Sequence, residues 1–300
     1  MNLVKSKYFF QLIGLSALWG ASFMLTRIAA PVLGPNLAAA IRMLLATVML
    51  ALIMWKFKSP WPWRRWRELF LLGLLAVAGP HTLYARSSLQ LPAGYGSLLT
   101  VTSVMFGAFA SALMKEEHLT GPKVLGCLLG LVGAALLVRL GPVEPTAPLV
   151  GAAIICMTGA AISGISTPFL KKAIARMEPL QITAGMHAAA VVLMIPGAIY
   201  DLPQARFEWH ALAAVAVLGV VTSGLAYWMY MRIMRHVPPM AALSSTFMST
   251  GFGVLWAVLL LSEPTGLAMA VGGALILLAC LLVMGLNPLQ WRLQGLLEKL

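Results

Sequence analysis

Ten apolar stretches of about twenty residues, separated by short segments carrying charge, Pro or Gly, leave this 300-residue chain few ways to fold. A stretch of that length crosses the hydrocarbon core of a bilayer as a helix. They run roughly 8–32, 36–56, 68–89, 93–114, 120–140, 148–170, 180–200, 209–233, 239–261 and 265–286. The hydrophobic content is 60% and the charged content 10%, where a soluble domain carries about a quarter charged residues. The sequence therefore predicts an all-α membrane protein of ten transmembrane helices, since a helix satisfies every backbone polar group inside lipid.

A net charge of +12 would suggest nucleic acid for a soluble protein. Here the cations sit in the short segments between apolar runs and read as topology signals, so no nucleic-acid partner is expected. With a cytoplasmic N-terminus, that side holds Lys5, Lys7, Lys56, Lys58, Arg64, Arg65, Arg67, Lys115, Lys123, Lys171, Lys172, Arg176, Arg232, Arg235, Arg292 and Lys299, 16 of the 21 Lys and Arg. Arg27, Arg42, Arg86, Arg139 and Arg206 fall on the other side. The bias predicts an even number of spans and both termini in the cytoplasm.

Trp61, Trp63 and Trp66 beside a basic loop read as interfacial anchors. Residues 289–300 place Leu289, Leu293, Leu296, Leu297 and Leu300 on one face, which predicts an amphipathic cytoplasmic tail along the membrane surface. The first apolar run is too long for a signal peptide and is read as a retained span. Cys127, Cys156 and Cys280 lie in apolar stretches with no metal-ligand or redox spacing, so neither metal nor cofactor is expected.

The chain contains an internal repeat. A shift of 146 residues over 84–131 pairs Tyr84 with Tyr230, Arg86 with Arg232, Pro92 with Pro238, Thr100 with Thr246, Ser103 with Ser249 and Phe106 with Phe252. It also pairs Gly107 with Gly253, Glu117 with Glu263, Gly126 with Gly272 and Leu131 with Leu277. Near the start of each half, Gly20, Ser22 and Arg27 align with Gly164, Ser166 and Lys171 at a shift of 144. The expected domains are a first five-helix repeat, 1–145, and a second, 146–288. Five spans per copy is an odd number, so the second copy enters the membrane upside down, and carriers of this architecture bind substrate between the halves near the midplane.

The stretch Ala17-Leu18-Trp19-Gly20-Ala21-Ser22-Phe23, Arg42 early in the second span, Pro92 to Glu117 followed by Leu119-Thr120 and Gly126, and the repeated Glu263, Thr265 and Gly272 resemble the EamA-type family of the drug/metabolite transporter superfamily. The second half departs from the pattern in carrying Ser163 where the first has Trp19. The resemblance implies a multi-pass carrier of the bacterial inner (plasma) membrane, commonly an exporter of amino acids or related compounds, with a central cavity lined by both halves.

The candidate cavity residues are Trp19, Ser22, Arg42, His81, Tyr84, Thr100, Ser103, His187, Tyr230, Ser245 and Ser249. Arg42 lies about 9 Å inside its span, either facing a wet cavity or snorkelling outward. His81 and His187 are the histidines well inside spans and read as pathway or packing residues. The hydroxyls of the fourth and ninth spans serve packing or substrate contact equally well. Trp19 and Trp256 read as ligand-stacking or packing residues. Glu117 and Glu263 stand before the fifth and tenth spans, where a carboxylate suits a helix start. Gly126, Gly130, Gly133, Gly272 and Gly273 allow close helix approach within the monomer or in a homodimer.

All nine acidic residues fall in loops or at span ends, which predicts a neutral, zwitterionic or carboxylate-bearing substrate with Arg42 as its charge partner. No HExxH, GxSxG or P-loop is present, so neither an intramembrane enzyme nor direct ATP drive is expected. The expected function is secondary transport of small metabolites by alternating access, with an intramembrane enzyme or a non-transporting membrane subunit as the alternative reading.

Overall fold

The computed structural model describes residues 3–115, 118, 120–234 and 239–283. Glu117 and the tail at 289–300 lie outside them. All regular secondary structure among the described residues is helical. In chain order the helices are α1 (Leu3–Leu33), α2 (Pro35–Lys56), α3 (Trp63–Ser87), α4 (Ala93–Leu113), α5 (Gly121–Leu140), α6 (Ala147–Ile174), α7 (Pro179–Asp201), α8 (Trp209–Tyr230, continuing to Met234), α9 (Pro239–Leu261) and α10 (Leu267–Val283). Eight of the described stretches, up to Trp209–Tyr230, are long and apolar enough to span a membrane. α9 and α10 also carry apolar stretches, Met248–Leu261 and Leu267–Ala279.

Large apolar side chains such as Val48, Leu52, Leu128, Ile195 and Leu259 are exposed on the outside of the bundle. In water that surface would be untenable, whereas lipid tails are as apolar as the side chains that face them. The chain is a multi-pass membrane protein.

The helices pack most extensively as α5 on α10, α4 on α6, α3 on α6, α2 on α7 and α1 on α9. Glycine decides two of these crossings. A Cβ on Gly20 of α1 would come within 2.7 Å of Ser249 O and Gly253 N on α9. A Cβ on Gly164 of α6 would collide in the same manner with Ser103 O and Gly107 N on α4. Gly133 and Gly272 face each other's helix across α5 and α10, so these small residues serve contacts inside the monomer.

Three helices depart from regular geometry where they pass the centre. In α3 the turn Gly73–Ala78 is widened, with the Gly79 N–H bonding to Leu74 O five residues back. The widened segment Val217–Leu225 of α8 ends with the Ala226 N–H on Val221 O. Such single-turn π segments often mark functional positions. A turn at Val101 and Thr102 interrupts α4, with Thr102 Oγ1 donating to Leu99 O at 2.6 Å. Pro80 follows directly on the widened turn of α3, whereas Pro168 and Pro196 are carried inside continuous helices.

Two carboxylates fasten helix ends far away in sequence. Asp201, the last residue of α7, accepts the backbone N–H groups of Asn36 (2.6 Å) and Leu37 (3.2 Å) through Oδ2 and the Asn36 side-chain amide (3.0 Å) through Oδ1. It thereby caps α2, whose N-terminus follows Gly34 at a φ of 86°. Glu263 accepts the N–H groups of Ala93 at 2.7 Å and Gly94 at 3.0 Å. It caps α4 rather than its own helix α10, because the segment before α10 lies over the exposed first amides of α4.

Candidate functional site

A cavity of about 370 Å³ lies at the centre of the bundle. Eight helices line it: α1 (Trp19, Ser22, Phe23, Thr26), α2 (Arg42), α3 (Ala76, Val77, His81, Tyr84), α4 (Ser97, Thr100, Val101, Ser103), α6 (Ser163), α7 (His187), α8 (Thr222, Ser223, Tyr227) and α9 (Ser249, Thr250). The α5 and α10 pair contributes no lining residue. The interrupted segments of α3, α4 and α8 all open onto it.

Arg42 is the charged residue of this wall. Its Nε donates to Ser223 Oγ at 2.8 Å, from the widened turn of α8. Among the described residues no carboxylate lies within ion-pair distance of it, and its other N–H groups have no protein partner. A guanidinium inside a membrane bundle is costly and suits a wet cavity. In the same lining a second group is left unspent: among the described residues Ser22 Oγ is buried with no hydrogen-bond partner. Buried hydroxyls are rarely left so.

Both histidines hold the same pose. His81 Nδ1 bonds to Val77 O at 2.9 Å and His187 Nδ1 to Thr183 O at 2.7 Å. A carbonyl only accepts, so Nδ1 carries the proton and Nε2 of the neutral ring is an acceptor. Each ring meets a tyrosine edge to face, His81 with Tyr84 at 6.1 Å and His187 with Tyr227 at 5.7 Å. Phe23 packs on Tyr84 at 5.9 Å. Several wall hydroxyls donate back to their own helices: Thr26 to Ser22 O (2.7 Å), Thr100 to Ser97 O (3.0 Å) and Thr222 to Leu218 O (2.8 Å). They therefore offer the cavity acceptors more than donors.

Trp19 closes one end. Its Nε1 donates to Thr222 O at 3.0 Å, and its ring packs against Tyr230 at 4.9 Å. Beyond it, Leu12, Leu15, Ala226 and Ile233 form an apolar cluster that takes in Tyr230 and Met248. Tyr230 and Ser245 consequently fall outside the cavity lining. Tyr230 is separated from it by the Trp19 ring, and Ser245 sits one turn beyond Ser249, its carbonyl accepting from Ser16 Oγ at 3.2 Å. Trp256 is also outside the wall, stacked on Phe252 and donating to Ala17 O at 3.0 Å.

The other nine candidates, Trp19, Ser22, Arg42, His81, Tyr84, Thr100, Ser103, His187 and Ser249, all reach the same cavity. Sequence reasoning did not single out Phe23, Ser97, Ser223 or Tyr227 as wall residues. A signal for part of this set was present. Residues Ala76, Val77 and His81 lie 146 positions before Thr222, Ser223 and Tyr227, the same shift that relates the two halves.

The family model of the EamA-like transporter family matches residues 6–139 and again 150–285. The chain belongs to this family. Among similar proteins, an uncharacterized transporter of Archaeoglobus fulgidus is 22% identical over 270 residues, covering 88% of this chain and 94% of that protein. The uncharacterized transporter YvbV of Bacillus subtilis is 22% identical over 290 residues, covering 94% and 93%. Protein PecM of Dickeya dadantii is 26% identical over 275 residues, covering 90% and 89%. A protein of known crystal structure, 19% identical, superposes with a TM-score of 0.66 over 94% of this chain and 99% of its own, so the EamA protein shares its fold.

Proposed function

We propose that this EamA family protein is a secondary transporter that exports a small zwitterionic or carboxylate-bearing metabolite, such as an amino acid or a related compound, across a bacterial inner membrane. The observation that carries the reading is Arg42, held by Ser223 at 2.8 Å in a central cavity whose lining contains no carboxylate. A guanidinium in that setting attracts an anionic group and offers it paired donors. Ser22 Oγ and the two histidine Nε2 atoms supply further polar contacts for a zwitterion.

Alternating access follows from two inverted repeats, 1–145 and 146–288, with both termini cytoplasmic. The paired crossings support this arrangement. Gly20 meets Ser249 and Gly253 as Gly164 meets Ser103 and Gly107, and these residues correspond at shifts of 144 and 146. The widened turns of α3 and α8 are likewise repeat partners.

Counterflow in liposomes tests the proposal. Proteoliposomes preloaded with a pool of amino acids and organic acids should accumulate at least one labelled carboxylate, and Arg42→Leu should abolish that uptake. Absence of counterflow with every pool, or efficient carriage of a quaternary ammonium dye, overturns it.

A further inference from the structure

A second cavity, of about 310 Å³, lies apart from the central one between the start of α3 and the face of α7. Trp61, Trp63, Trp66 and Phe70 wall one side, and Gly185, Ala188, Ala189 and Val192 form the other. The small residues of α7 leave the depression, which runs along the helix from Gly185 to Val192. Trp63 (75%), Trp66 (54%) and Val192 (52%) are exposed, so the groove opens outward from the bundle. It is too small for another helix, whose diameter with side chains is about 10 Å.

The wall is built rather than incidental. Trp61 and Trp63 stack with centroids 5.8 Å apart, and Trp66 meets Phe70 edge to face at 5.9 Å. The loop leading into α3 is tied to α7 by Gln181 Nε2, which donates to Pro60 O at 2.9 Å.

Cations adjoin the tryptophans of this groove. Between Lys56 and Arg67 the chain carries Lys56, Lys58, Arg64, Arg65 and Arg67, five cations, and no acidic residue. Glu68 pairs with Arg65 at 3.1 Å. Lys56, Lys58, Arg64 and Arg67 are exposed and have no carboxylate partner among the described residues; Arg67 lies 5.5 Å from the Trp66 ring centroid. Lys56 and Lys58 line a shallow cavity on the far side of Trp61, so Trp61 is shared by a cationic pocket and an apolar groove.

From this juxtaposition we infer that the groove between α3 and α7 binds one anionic phospholipid, its acyl chain along Gly185, Ala188 and Val192 and its phosphate among Lys58, Arg64 and Arg67. A zwitterionic phospholipid offers the same chain but no net charge. Each basic residue near an anionic lipid surface adds about fivefold to binding, so three unpaired cations give strong discrimination.

Native mass spectrometry of the full-length protein, released from detergent with equimolar dioleoyl phosphatidylglycerol and dioleoyl phosphatidylcholine, tests this. The wild type should retain phosphatidylglycerol at least tenfold in preference. The triple variant Lys58→Gln, Arg64→Gln, Arg67→Gln, which alters only exposed side chains, should lose that preference. Ala188→Phe, which fills the groove, should weaken phosphatidylglycerol retention at least threefold with its charge unchanged. Equal retention of the two lipids by the wild type overturns the inference, as does wild-type phosphatidylglycerol retention in either variant.

Discussion

Arg27 Nε approaches Glu263 Oε1 to 3.4 Å, and the same guanidinium donates through Nη1 to Leu91 O at 2.6 Å and Ser88 O at 3.2 Å. Glu263 also receives the first two amides of α4, so one carboxylate joins the last turns of α1, through Arg27, to the start of α4 and to its own segment before α10.

Removing that carboxylate leaves two amides and the Arg27 Nε without their acceptor, while Arg27 Nη1 keeps its two carbonyls. Hydrogen bonds to charged groups contribute roughly 1.5–3 kcal/mol each, and the half-exposed Arg27 contact contributes less. Glu263→Ala should destabilise the protein by about 3 kcal/mol and Glu263→Gln, which keeps one acceptor, by about 1 kcal/mol. Thermal unfolding in detergent should rank wild type, Gln, then Ala; an Ala variant as stable as wild type would contradict the cap.

Arg42 is argued to hold a carboxylate by two donors. Arg42→Lys keeps charge but not the planar fork, and should lower kcat/KM for a carboxylate substrate about 10- to 100-fold. Ser223→Ala removes only the group that orients Nε and should cost less than tenfold, in KM. Both effects are read in proteoliposome uptake. A Ser223→Ala loss as deep as that of Arg42→Leu would place the essential contact at the serine instead.

Ser22 Oγ has no partner to lose, so Ser22→Ala should leave the melting temperature unchanged or slightly higher. If the hydroxyl serves the solute, KM rises while folding does not suffer. A clear loss of stability would mean that the hydroxyl is bonded inside the protein.

The α1 and α9 crossing has no room for a side chain at Gly20. Gly20→Val should cost about 3 kcal/mol or more and sharply reduce the folded protein recovered from membranes. Gly164→Val should behave alike. Gly251→Ala on the same helix as Gly253 is the control, since a Cβ there meets nothing within 4 Å. Equal recovery of all three, judged by gel filtration, would refute the close packing.

Membrane character was legible because length and hydropathy act locally: each apolar run from Pro35 to Lys56 or from Gly121 to Leu140 announces itself without reference to any other part of the chain. Arg42 and the two histidines were legible for a related reason, since a polar group at depth needs a polar surrounding wherever it lies. What could not be read was who meets whom. Glu263 looked like a cap for the helix that follows it, but its partners Ala93 and Gly94 lie about 170 positions away, and only the packing of α1, α4 and α10 decides that. Tyr230 shares a repeat position with Tyr84 yet lies behind Trp19, because the other half has Ser163 in place of that tryptophan and no ring to block the view. Ser223 and Tyr227 were hidden by the widened turn of α8, which breaks the regular spacing by which a helical face is recognised.

That widened turn also confines its effect to its own stretch of α8. An ordinary helix advances about 100° per residue, and a turn holding one residue more than usual takes up that residue while the helix on either side keeps its phase. Deleting a single residue between Val217 and Leu225 would close the turn to ordinary geometry and leave Tyr227 beside His187. The bulge itself would go, and with it the placing of Ser223 on Arg42 and of the Thr222 carbonyl on the Trp19 indole. Such a deletion would flatten the wall locally while sparing the face of α8 that follows it.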